Sequence, residues 1–438
     1  MTSLVIKKMS ENKKFTKKLN WQDPLNFAQK IADNYGDESW AFLYSGLSVD
    51  VKKSVSYIAI CPRHEIVADG FESLEKIAKN QELWFGYLSY ELGHELEKFP
   101  ETKNSHINLP KIWFINFGLV FKFDHEKKIL TAFFDDEKNL EEALKYQVLE
   151  VLQDEVKIKN LESNFSNESY LAEISDIKKM IAEGDFYQTN LTRKFFGKLD
   201  IKDKSPSAYF SLFARLCKIS PANYSSFLSF KKNYIISASP ELFLDLDENG
   251  IVKSRPIKGT SARSQDDLQD EKNKSDLQNS PKERAENLMI VDLVRNDLSR
   301  VCKAGSVEVK NLFEVISYKT IHHMVSEIVG QVDEKFSALD VIKACFPAGS
   351  MTGAPKVKAM QVVAKKEKLN RGIYSGAIGL IGGEEVKLSV VIRTLICFSD
   401  DFEFQVGGAI TFDSDEQKEL EEIFNKAKGI LKLLGVTQ

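Results

Sequence analysis

Cysteine is scarce and scattered in this chain. The five residues, Cys61, Cys217, Cys302, Cys345 and Cys397, are odd in number and form no CxxC pair. That pattern argues against a disulfide framework or a zinc site, and for a reducing cytosol. Histidine is equally sparse, with six residues and no HExxH motif. No segment approaches the roughly 20 apolar residues that span a bilayer. The lysine-rich start (Lys7, Lys8, Lys13, Lys14, Lys17 and Lys18) is followed by no apolar run, so neither a secretory signal nor membrane contact is expected. An excess of positive charge is missing too: the net charge of −4 gives no footprint for nucleic acid. Repeats and low-complexity tracts are absent.

What is present is an ordinary globular composition, 43% hydrophobic and 28% charged, over 438 residues. That length suits two or three domains or one large composite fold. Residues 1–20 are expected to be a poorly ordered basic segment, 21–160 an N-terminal region and 165–434 a catalytic region, with a boundary near 155–168. "ELWFGYLSYELG" and "KIWFINFGLVFKFD" read as strands, because aromatic and β-branched residues alternate over short distances. Residues 135–169 read as a helix followed by a linker, and "YLAEISDIKKMIAEGD" as a helix. Further on, "YIISASPELFLDLD", "SYKTIHHMVSEIVGQV", "VKLSVVIRTLICFS" and "FEFQVGGAITFD" read as strands. The last two, joined by a short acidic turn, suggest an antiparallel hairpin. The expected class is α+β with large antiparallel sheets.

Two helices carry paired carboxylates. In "SPKERAENLMIVDLVRNDLSR", Ser280 suits the N-cap, Pro281 the first helical position and Glu283 a capping box. Glu283 and Glu286, three apart, share a face, and Glu419 and Glu422 repeat that spacing on a second helix with Lys426 one turn on. Four such carboxylates suit Mg²⁺, a hard cation. The spacing serves equally well for a helix cap and an ordinary Glu422–Lys426 ion pair on solvated faces. "FPAGSMTGAPKVKAM" and "QVGGAITF" lack phosphate-loop spacing and read as tight turns, or as backbone N–H donors for an anion. In "SRPIKGTSAR", Lys258 is a solvated loop charge or a nucleophile. Residue type alone leaves that choice open.

Taken together and in order, "GDFYQTNLTR", "SASPELF", "RPIKGT", "KERAENLMIVDLVRNDL", "YKTIHHMVS", "FPAGSMTGAPKVKAM", "RGIYSGAIG", "VVIRT" and "GGAITFDSDEQKELEEIFNKA" resemble the chorismate-utilising enzymes. That family comprises anthranilate, aminodeoxychorismate, isochorismate and salicylate synthases. The resemblance covers about residues 170–430, and "WFGYLSYELG" and "FKFDH" resemble the family's N-terminal half. It implies two large stacked antiparallel sheets with helices outside, built from both halves of the chain. It also implies Mg²⁺ held by Glu286 and Glu422, with Glu283 and Glu419 assisting, against the ring carboxylate of chorismate. Arg393, Tyr374, Lys426 and backbone N–H groups near Gly407 and Ala409 would hold the second carboxylate. Thr260 and His323 would line the ring, His323 as part of the catalytic set, and Glu241 would be the general acid that expels the C4 hydroxyl.

Two positions divide the family. Isochorismate and salicylate synthases have a lysine that activates water where this chain has Gln188, which disfavours a water nucleophile. Anthranilate synthases read PIAGT where this chain reads PIKGT, so Lys258 resembles the nucleophilic lysine of the aminodeoxychorismate branch. The resemblance therefore implies formation of 4-amino-4-deoxychorismate through a covalent Lys258 adduct, for p-aminobenzoate and folate. No glutaminase motif is found, so ammonia is expected from a separate glutamine amidotransferase subunit. Relatives hold tryptophan in an N-terminal pocket, and that partner stays open here. The alternatives are anthranilate synthase component I and an inactive chorismate- or regulator-binding relative. Two departures stand out. Ala409 replaces a frequent glycine and requires a negative φ for comfort, and Ser299 replaces the glycine of "NDLGR".

Overall fold

Side-chain alternation along the strands sets the layering. The computed structural model describes residues 15–46, 54–78, 82–100, 102–148, 156–318, 321–382 and 385–436. One antiparallel sheet runs through β7 (Lys157–Ser163), β8 (Gln188–Asp200), β20 (Asp401–Ile410), β19 (Thr394–Phe398), β10 (Asn233–Ser239), β9 (Tyr224–Phe230), β2 (Trp40–Tyr44), β3 (Val55–Ala68), β5 (Ile112–Asp124), β6 (Ile129–Phe134) and β1 (Phe15–Leu19). A second leaves β5 through β4 (Trp84–Leu88), β17 (Ala377–Gly382), β18 (Glu385–Val390), β11 (Leu242–Leu246) and β12 (Ile251–Arg255) to β15 (Ile321–Gln331). That strand also pairs β13 (Ile257–Ala262) and β14 (Glu308–Ser317). The short β16 (Gly353–Ala354) pairs the start of β8.

The sheets face each other across a core of Ala41, Tyr57, Phe85, Tyr87, Leu228, Phe230, Ile378 and Leu380. Their other faces are covered by helices. Helices α1 (Pro24–Asn34), α3 (Glu137–Lys145), α4 (Asn167–Ala182), α5 (Pro206–Ile219) and α10 (Glu416–Leu433) pack on the first sheet. The second is covered by α2 (Glu75–Ala78), α7 (Pro281–Ser299) and α8 (Ala338–Cys345). Helix α6 (Asp267–Asn279) lies over β13 and β14, and α9 (Lys356–Glu367) against β8. Period-two alternation sorts the residues: Phe85 and Tyr87 of β4 enter the inter-sheet core, while Trp84 and Leu88 join Ile290 and Val294 of α7.

The stacked antiparallel sheets, the flanking helices and the β19–β20 hairpin agree with the expectation from sequence. Three details differ. Residues 15–19, placed in the unordered start, form β1 on β6, because Phe15 finds the ring of Phe134; Lys7, Lys8, Lys13 and Lys14 lie outside the described residues. "YIISASPELFLDLD" and "VKLSVVIRTLICFS" are each two strands, β10/β11 and β18/β19, that pass from one sheet to the other. The Ser280 hydroxyl caps α7 at the Glu283 N–H (3.3 Å), but Glu283 returns no bond, since the Ser280 N–H is taken by the Leu277 carbonyl. The Glu283 carboxylate is thereby free of the capping box.

Candidate active site

The two strands that change sheets do so side by side, and each corner carries a functional side chain. Glu241 follows Pro240 between β10 and β11, while Arg393 ends the β18–β19 corner with φ +51°. The Val390 N–H donates to the Glu241 carbonyl and the Ala238 N–H to that of Arg393, at 3.1 Å each, so the corners brace each other. The Glu241 side chain is buried, and desolvation pushes its carboxyl up to about 7, against the opposing pull of the Ser350 hydroxyl and Lys258.

Lys258 sits on β13, its Nζ 3.3 Å from the Ser350 carbonyl oxygen. Desolvation lowers its proton affinity and Lys426 adds to that, while Glu286, Glu241 and Glu422 oppose it. Gly259, with φ +87°, is needed there: a Cβ would stand 2.9 Å from Glu283 Oε2 and 3.0 Å from Leu277 Cδ1. One residue on, the Thr260 hydroxyl lies 3.0 Å from His323 Nδ1. Desolvation and then Arg393 lower His323 to about 3, which keeps it neutral, and its Nε2 is buried without a partner. Arg393 has no carboxylate partner among the described residues, and burial lowers its pKa as well. Tyr374 is buried and its phenol is pushed far up by desolvation, keeping it an un-ionised donor near Glu241.

Helices α7 and α10 bring their carboxylates to this place from two sides. Lys282 Nζ is 3.9 Å from both Glu286 Oε1 and Glu419 Oε1, so one ammonium spans the two helices. Burial and the neighbouring Glu286 raise Glu283, and burial raises Glu419, whose Oε1 accepts the Ser414 hydroxyl at 2.7 Å. Packing around Glu422 acts in the same direction, but Lys426 at 2.5 Å outweighs it, leaving Glu422 below its usual value. Lys426 also donates to the Gly407 carbonyl at 2.9 Å. Lys282 was outside the expected set, although its i,i+4 spacing to Glu286 could have found it.

The β8–β20 register answers the question posed by Ala409. The N–H groups of Asn190 and Thr192 turn away from β20, to the Thr352 carbonyl and Glu367 Oε1. Their partners Ala409 and Gly407 therefore point their own N–H groups away from β8, at an edge that β19 does not reach. Ala409 does not take a positive φ. Gly407 has no room for a Cβ, which would meet Thr192 Cγ2 at 2.7 Å. Gln188 opens β8, paired with Ala354; its buried Oε1 has no partner. Glu241, Lys258, Glu286, Glu422 and Lys426 thus form one electrostatic group, with Thr260, His323 and Arg393 on its flank, while Gln188 contacts none of them through that oxygen.

Among the described residues no three His, Cys, Asp or Glu side chains converge tightly enough to hold a metal alone. Mg²⁺ does not need that, since it keeps several waters and takes one or two carboxylates. The hard oxygen donors of the two helices, and the burial and neighbouring Glu286 that raise Glu283, fit such an ion.

Comparison with known proteins gives the same direction. Residues 35–432 match the family model for chorismate binding enzyme. Aminodeoxychorismate synthase component 1 of Escherichia coli (strain K12) is 36% identical over 351 residues, 80% of this chain and 76% of that one. Anthranilate synthase component 1 of Aquifex aeolicus (strain VF5) is 38% identical over 291 residues, 66% of this chain and 58% of that one. The crystal structure of anthranilate synthase component I from Streptococcus pneumoniae TIGR4 superposes with a TM-score of 0.76 at 26% identity, over 86% of this chain and 91% of that one. The chain belongs to the chorismate binding enzyme family.

Proposed function

We propose that this protein converts chorismate and ammonia to 4-amino-4-deoxychorismate, for p-aminobenzoate and folate synthesis. The observation that carries the reading is Lys258: a lysine held in a desolvated place, its proton affinity lowered, between the buried acid Glu241 and the carboxylates of α7 and α10. An amine must be neutral to attack carbon. The Lys258 amine forms a bond to C2, both ring double bonds shift (C1=C2 to C1=C6 and C5=C6 to C4=C5), and the C4–O bond breaks. The oxygen leaves as water with the Glu241 proton. Ammonia then bonds to C4, the C2–N bond breaks, and its electron pair returns to Lys258. The new amine sheds a proton that restores Glu241.

Arg393, Tyr374, Lys426 and the N–H groups of Gly407 and Ala409 would orient one substrate carboxylate. Mg²⁺, held by Glu286 and Glu422 with Glu283 and Glu419 assisting, would supply positive charge to the other. Thr260 fixes the orientation of neutral His323 against the ring. The component 1 naming of relatives supports a second subunit, here a glutamine amidotransferase that delivers ammonia. The five free cysteines support a reducing cytoplasm, and no helix among the described residues is long and apolar enough to cross a membrane. A cavity of about 430 Å³, bordered by Tyr44, Ser45, Asn223 and Tyr224, is large enough to take tryptophan, and would be the N-terminal pocket if this chain binds it.

The anthranilate synthase relatives favour a second reading, tryptophan synthesis. Purified protein with chorismate, Mg²⁺ and ammonium at mildly alkaline pH separates the two. A product that gives p-aminobenzoate only after an added lyase is expected; direct appearance of fluorescent anthranilate would reject the proposal.

A further inference from the structure

One buried polar group beside both catalytic side chains has no task in that mechanism. Ser350 lies in the 3-10 turn Gly349–Met351, ahead of β16, and is buried. Its carbonyl oxygen receives Lys258 Nζ at 3.3 Å. Its hydroxyl makes no well-formed hydrogen bond. It borders a cavity of about 10 Å³ together with Glu241, Ser254 and Asp297, which is space for about one water. The turn is fixed from several sides. The Met351 carbonyl accepts Arg371 Nη1 at 2.8 Å, and Lys356 Nζ donates to the Cys345 and Pro347 carbonyls at 3.0 Å each. Buried hydroxyls are almost always partnered, and leaving one unpaired lowers stability.

We propose that Ser350 is a positioning residue for both catalytic groups. Its carbonyl aims the Lys258 amine, and its hydroxyl, directly or through one water in the small cavity, donates to the Glu241 carboxyl. With its carbonyl oxygen so occupied, protonated Glu241 presents its O–H to the leaving oxygen. Once that proton has left, the same donor faces a carboxylate, and the hydrogen bond strengthens as charge develops. This rests on Lys258 as nucleophile and Glu241 as acid. The other groups that face Glu241 are Lys258 from β13, Lys426 from α10, Tyr374, and Asp297 from α7 across the cavity.

The test is Ser350→Ala in the full-length protein, followed by ammonium-dependent aminodeoxychorismate formation across pH and by urea unfolding. The expected result is a kcat lower by roughly tenfold to a hundredfold, as for one lost hydrogen bond to a charged group. KM for chorismate should stay near that of the parent. The alkaline limb of kcat should move to higher pH, because a donor to the ionised acid is gone, while the urea midpoint establishes that the variant is folded. An unchanged kcat and pH limb overturns the proposal, and so does a kcat loss in a folded variant whose pH limb does not move. Lys258→Ala and Glu241→Gln run alongside: if these also keep full activity, the underlying catalytic assignment has failed rather than the role of Ser350.

Discussion

At the scale of single residues, burial is the main source of chemistry here. Glu241 is the clearest case, since its carboxyl rises from 4.5 to about 7 on desolvation despite Lys258 and Lys426. A group whose pKa is higher in the folded state gives stability that is complete below its unfolded pKa and lost as pH rises through the folded one. Its contribution therefore declines between about pH 4.5 and 7. A shift of this size corresponds to roughly 3 kcal/mol. Glu241→Gln, which mimics the neutral acid, should be inactive yet more stable than the parent at pH 8 and equal to it near pH 4. Urea midpoints at the two pH values measure this, and equal midpoints at pH 8 would refute it. Some decline will persist in the variant because Glu91, also buried, is raised to about 7. Residue type alone could not reveal this. The apolar walls beside Glu241 include Val294 of α7, Ala348 and Val390 of β18, all distant in sequence, and the carbonyl on Lys258 comes from residue 350.

At the scale of elements, what is local was legible and what is tertiary was not. The start of α7 could be read because Ser280 and Pro281 act within one turn. The fate of Glu283 could not, because the Leu277 carbonyl takes the Ser280 N–H and burial against β13 sets the carboxylate's surroundings. The β18–β19 corner was invisible for a related reason: Val390, Val391 and Ile392 continue an apolar run without a break, although a strand ends among them. The chorismate family motifs pointed to the candidate site residues together, while spacing alone left the carboxylates open between a metal site and solvated faces. The β13 turn gives a test at this scale. Gly259→Ala would put a side chain at φ +87° against Glu283 and Leu277. The backbone term alone is about 1–2 kcal/mol. Displacing the adjacent Lys258 by an ångström should lower amination by about a hundredfold. The variant should therefore lose activity by about a hundredfold while remaining folded, and parent-like turnover would show that β13 tolerates the shift.

At the scale of the whole molecule, the two regions suggested by the sequence are interleaved. From the N-terminal part, β2 lies between β9 and β3, and β4 lies between β5 and β17, so each sheet has strands from both. Buried charges cross the same divide. Glu91 accepts the N–H groups of Arg371 (2.6 Å) and Gly372 (3.1 Å), and Glu403 accepts the Ile107 N–H at 2.9 Å while pairing with Lys194 at 3.2 Å. Arg371 in turn holds Glu367 bidentately and the Asn190 and Met351 carbonyls, which lead to β8 and the Ser350 turn. Without the N-terminal strands, β9 and β17 would become bare apolar edges, and Arg371 and Glu403 would lose partners whose absence is costly in a buried place. The full chain should therefore unfold in one cooperative transition, with circular dichroism and tryptophan fluorescence changing together. A fragment of residues 165–438 should show no cooperative transition and no chorismate binding. A soluble fragment that melts cooperatively and binds chorismate would mean that the inter-sheet core forms without β2 and β4, and the catalytic region would then be a domain of its own.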